Sequence, residues 1–66
     1  MTDIVIHNNR RYRRVVRDQQ LYRSGVLLGL VTLHGREYVV RLQMPGTWIV
    51  IAPALAAALL LGGGQS

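Results

Sequence analysis

The chain has 66 residues, no cysteine, and eight arginines without a single lysine against three acids (Asp3, Asp18 and Glu37), for a net charge of +5. This length allows one domain at most, burying only about 60% of the surface its unfolded chain exposes, and the lack of cysteine excludes a disulfide scaffold. With only His7 and His34 and no thiolate, a zinc site is disfavoured too, so a membrane, an oligomer or a host assembly must supply the missing stability.

The first nine residues, MTDIVIHNN, do not have the basic segment and long apolar run of a secretory signal. Residues 4–7 (IVIH) form a β-branched run that suits a strand, stopped by Asn8 and Asn9. Residues 10–24 admit two readings. As a helix, Asn9 is the N-cap and Gly25 follows the last turn, and Arg10, Arg13, Arg14 and Arg17 share one face. As a strand, the segment pairs with residues 4–7 through the asparagines, although its alternation is not clean. Arginines in a first turn oppose the helix dipole. The capping residues nevertheless make the helix the preferred expectation. The order α-β-β-β-α that follows also occurs in double-stranded-RNA-binding domains. Their second helix begins with basic residues, however, and PALAAALLL has none, so no family is assigned.

Residues 26–34 (VLLGLVTLH) are apolar and β-rich. Residues 36–43 alternate, with Tyr38, Val40, Leu42 and Met44 predicted on one face and Val39, Arg41 and Gln43 on the other. His34-Gly35 between the two runs predicts a hairpin. Pro45-Gly46 fits a type II turn. Residues 47–52 (TWIVIA) read as a third strand, Pro53 as the first residue of a helix over 54–61, and the glycines from 62 to 64 as its stop.

No charge occurs from Leu42 to Ser66. Two expectations compete for this end. A single transmembrane span over 47–64 would place Trp48 at the headgroups and the arginines, hence the N-terminus, on the cytoplasmic side. Pro53 and the glycines weaken it. The other expectation is a strand and short helix packed inside an assembly, because a helix apolar on every side must be covered on every side. The expected fold class is therefore small α+β: a basic N-terminal segment, helix or strand, then β-hairpins around 26–52 and an apolar C-terminal helix. The division is a basic, β-rich part (1–46) and an apolar anchoring or packing part (47–66).

Signals of catalysis are nearly absent, since no carboxylate pair, nucleophile context or phosphate-cradling loop is evident. No cofactor or metal is expected. Arg10, Arg11, Arg13, Arg14 and Arg17 form the candidate site for anionic partners. Trp48, Ile49, Val50, Ile51, Leu55, Leu59, Leu60 and Leu61 are the candidate anchoring residues. The expectation is a non-enzymatic structural or accessory subunit, located in a membrane or within a virus particle or other large assembly. Its partners are other protein subunits, of the same or another kind, with a lipid membrane, anionic headgroups or nucleic acid as further candidates. The alternative is a soluble, oligomeric nucleic-acid-binding module that uses the same arginines, with Tyr12 and Tyr22 interleaved for stacking.

Overall fold

The computed structural model describes residues 2–22 and 25–63, with side chains through Leu59. It contains β1 (Asp3–His7), β2 (Arg10–Arg14), β3 (Arg17–Leu21), β4 (Leu27–Leu33), β5 (Arg36–Met44), β6 (Thr47–Val50) and α1 (Pro53–Gly63). Its turns follow from local chemistry. Asn8 and Asn9 both take positive φ (52° and 65°), which asparagine tolerates better than most residues. The two-residue link this makes joins β1 to β2 as an antiparallel hairpin, with His7 opposite Arg10 and Asp3 opposite Arg14. His34 and Gly35 (φ 52° and 74°) do the same between β4 and β5. Gly46, at φ 81°, completes the Pro45-Gly46 turn into β6.

The six strands form one sheet in the order β2-β1-β6-β5-β4-β3, antiparallel throughout except for the parallel pair β1–β6. The edge strands β2 and β3 are joined by Val15 and Val16 alone. A flat sheet of this size would hold its edges about 24 Å apart. Three Cα–Cα steps, from Arg14 to Arg17, reach at most about 11 Å. The sheet must therefore curl until the end of β2 stands beside the start of β3. The strand directions show how: β2 and β3 run the same way, so residues 10–21 follow one course, interrupted at residues 15 and 16 and distorted again at Asp18, where φ is 53° and the register shifts. It bends at Val15-Val16 and exchanges β1 for β4 as its partner. The result is a small barrel.

The interior follows from alternation. Val5, Val31, Leu33 and Val40 are completely buried, and Val16 and Trp48 nearly so, with Tyr12, Tyr38, Leu42 and Val50 packed around them. Each such aliphatic side chain contributes about 1.5–3 kcal/mol when withdrawn from water. The Trp48 indole nitrogen donates to Asp3 Oδ2 at 3.1 Å, so its polar atom is satisfied at the rim. Gly29 leaves no room for a side chain: a Cβ there would stand 2.4 Å from Val16 Cγ1 and 3.2 Å from the Arg17 carbonyl oxygen. Helix α1 returns across the outer face, where Ala56 and Leu59 join Tyr22, Leu28, Val39, Ile49 and Ile51 in a second apolar cluster.

These findings correct the expected fold class. The domain is mostly β, and its one described helix is α1. Residues 10–21 are strand because Tyr12 and the valines have stiff or bulky side chains that suit a pleated surface, and because Asn8-Asn9 turn the chain back onto β1. The expected transmembrane span over 47–64 also falls, and with it the membrane reading that rested on that span. Among the described residues no helix is long and apolar enough to cross a bilayer. α1 has 11 residues, about 16 Å of helix, against a hydrocarbon core of about 30 Å. Thr47–Val50 is strand β6, hydrogen-bonded between β1 and β5, and Trp48 is a core residue rather than a headgroup anchor.

Candidate docking surfaces

Strand alternation divides the five clustered arginines among three places. Arg11 and Arg13 point outward from β2, opposite Ile6 and Ile4 of β1. Arg10 and Arg14 lie on the Tyr12 side of the same strand, at its two ends. The Arg14 guanidinium carbon is 5.6 Å from the centre of the Tyr12 ring, and its Nη1 donates to the Arg13 carbonyl at 2.7 Å. Arg17 is on β3, at the other edge of the sheet. Its Nη2 donates to Glu37 Oε2 at 2.8 Å and to Thr32 Oγ1 at 3.3 Å. Both partners of that ion pair are about half exposed, so it contributes about 1 kcal/mol at most.

The outer face of β2, β1, β6 and β5 brings together residues that are far apart in sequence. Register aligns Arg11, Ile6, Ile49 and Arg41 in one row across the four strands. The next row runs Arg13, Ile4, Thr47 and Met44. Ile4, Ile6 and Thr47 are half-buried, whereas Arg11, Arg13, Arg41 and Met44 are exposed. A shallow groove of about 400 Å³ lies here, lined by Ile4, Ile6, Arg11, Gln43, Met44 and Thr47. None of the chain's three acids lines it: Asp3 holds Trp48, Asp18 is on β3, and Glu37, on the outer side of β5 four residues from Arg41, holds Arg17.

Two members of this surface, Arg41 and Met44, were not among the residues singled out from the sequence. Alternation correctly sets Arg41 opposite Tyr38 and Val40. It also predicts Met44 on the inner side with Leu42. A register shift between Leu42 and Met44 reverses this, so Met44 pairs with Thr47 and faces out. No sequence signal marks that bulge.

The candidate anchoring residues divide as well. Trp48 and Val50 belong to the interior cluster, and Ile49 and Ile51 to the outer cluster beneath α1. On the helix, Ala56 is buried and Leu59 is half-buried against the sheet. Ala54, Leu55, Ala57 and Ala58 face outward, with Leu55 half exposed. The side chains of Leu60 and Leu61 lie outside the described residues. Beside the helix, a cleft of about 220 Å³ opens over β3 and β4, lined by Tyr22, Gln20, Leu28, Leu30 and Val39 among others. The Tyr22 hydroxyl donates to Gln20 Oε1 there at 2.8 Å.

The histidines sit together at one end of the barrel. His7 lies against Tyr38 with ring centres 4.9 Å apart, and His34 meets Tyr12 edge-on at 5.3 Å. His34 occupies the turn at positive φ, so its place is explained by backbone geometry. Among the described residues, no three side chains of metal-ligating type cluster.

The geometry defines a small, mostly β domain with a basic, apolar-floored outer face and an uncovered apolar helix. Comparison with protein-family models, curated proteins and solved structures finds no match.

Proposed function

We propose that the protein is a non-enzymatic structural subunit. It joins a larger protein assembly through α1, and its basic outer face meets an anionic partner. One observation carries this reading: Ala54, Leu55, Ala57 and Ala58 form the solvent-facing side of α1 and carry no polar atom. A surface helix that stands alone normally puts charged or polar side chains on that side. Here the same composition covers the inward and outward faces, as expected of a helix with a second apolar neighbour. The neighbour is another copy of this chain or a different subunit.

The test is a photo-crosslinking amino acid placed at Leu55 in the full chain, in cells that produce it. The expected result is a discrete protein adduct, with none when the same group replaces Thr32 on the barrel. Sedimentation of the purified chain then separates self-assembly from a foreign partner. A chain that gives no adduct at Leu55 and sediments as a monomer at every concentration refutes the reading.

A further inference from the structure

The anionic partner in the proposed function has so far been defined by charge alone, and the groove between β2 and β5 defines it further. We infer that this groove binds an acidic, aliphatic peptide segment of a partner protein. The inference rests on the assembly reading and names the partner of its basic face. Three observations carry it.

First, charge and apolarity are arranged around each other. Ile4, Ile6 and Met44 give the groove an apolar floor with Arg11 in its lining, and the register rows place Arg13 beside Ile4 and Arg41 beyond Ile49 at its margins. A ligand that fits must offer carboxylates or phosphates to the sides and something apolar to the floor. Second, no acid lies in either row: Glu37 shares the outer side of β5 with Arg41 but stands four residues away, where it is held by Arg17. Arginine presents a planar fork that matches a carboxylate in a bidentate manner. Met44 adds an adaptable side chain, 56% exposed, next to Gln43 and Thr47, which offer hydrogen bonds.

Third, the aromatic side chains are used elsewhere. The chain has three tyrosines and one tryptophan. Tyr12, Tyr38 and Trp48 belong to the interior cluster and Tyr22 to the cluster under α1. Single-stranded nucleic acid is gripped by basic grooves that also stack bases on exposed aromatic rings, and this face has none. A duplex would present phosphates to the arginines but leave Ile4, Ile6 and Met44 without a partner. An acidic peptide with aliphatic side chains satisfies both halves of the surface.

The experiment measures fluorescence anisotropy of a labelled synthetic peptide with a leucine after every two glutamates, titrated with the full chain. The control peptide has serine in place of leucine. The leucine peptide is expected to bind at least about tenfold more tightly than the serine peptide, and to retain measurable binding in high salt, where charge attraction is screened. Arg11→Gln and Met44→Ser should each weaken it about tenfold. Arg36→Gln removes the same charge at the far end of β5 and should leave binding unchanged. Circular dichroism confirms that each variant is folded; if Met44→Ser is not, Met44→Gln takes its place.

Equal affinity for the two peptides, or no binding to either, overturns the inference. So does tighter binding to oligothymidylate, duplex DNA or phosphatidylserine vesicles than to the leucine peptide. If peptide binding is absent while Leu55 still forms its adduct, the groove inference falls and the assembly reading stands. If peptide binding is present without a Leu55 adduct, the groove inference stands and the role of the helix falls.

Discussion

Gly29→Ala tests the bend on which the barrel depends. Gly29 has an ordinary φ, so alanine is acceptable to the backbone, and the effect will report contact alone. The new Cβ would be 2.4 Å from Val16 Cγ1, more than an ångström inside normal contact. Val16 is 7% exposed and β-branched, so it cannot easily rotate away. Overpacking of this kind costs about 1–3 kcal/mol. Lower freedom in the unfolded chain returns about 0.4–1 kcal/mol. The net expectation is a loss of about 1–2 kcal/mol, which for a domain this small lowers Tm by roughly 4–8 °C per kcal/mol. Urea denaturation followed by the single tryptophan, Trp48, measures it. The decisive comparison repeats Gly29→Ala in a Val16→Ala background, where Cγ1 is gone. The penalty should shrink there by about 1 kcal/mol, although the Arg17 carbonyl contact at 3.2 Å remains. An equal penalty in both backgrounds, or a more stable Gly29→Ala single variant, would show that β3 and β4 do not meet as described.

Two further substitutions examine the core and the helix. Asp3→Ala removes the acceptor for the buried Trp48 indole and should cost about 1–2 kcal/mol in the same urea assay. In a Trp48→Phe background, which has no indole N–H, the same change should cost little. Ala56→Asp places a carboxylate where the side chain is 4% exposed, between α1 and the sheet. It should detach the helix and leave the barrel folded, seen as faster amide exchange within α1 while Ile51, whose N–H donates to the Val39 carbonyl on β5, stays protected and Trp48 fluorescence is unchanged. Loss of the whole fold would instead mean that α1 is integral to the barrel.

Local chemistry made some of this structure legible. His34-Gly35 and the alternation after it marked the β4–β5 hairpin, Pro45-Gly46 marked the next turn, and Pro53 marked the start of α1. Residues 10–21 were harder because their conformation depends on residues distant in sequence. The bend at Val15-Val16 needs the space left by Gly29, and the exchange of β1 for β4 needs both strands in place. The basic site was legible in composition but not in arrangement. Five clustered arginines suggested one surface, whereas a strand turns successive side chains to opposite sides, and the bend carries Arg17 to the other edge. Arg41 reaches the surface only because β6 lies between β1 and β5, an order that no local pattern specifies.

That order has a consequence for how binding and folding are linked. Every pairing in the sheet except one joins strands that follow each other in the chain; the exception is β1 with β6. This seam closes the longest loop, so it forms against the largest entropic cost. The groove floor is built across it, with Ile4 and Ile6 on one side and Thr47 on the other. A ligand that sits there touches both sides at once and acts as a clasp. It binds the closed barrel and not the opened one, so its affinity adds directly to the stability of the fold. A domain this small would then be firmer with the groove filled than with it empty.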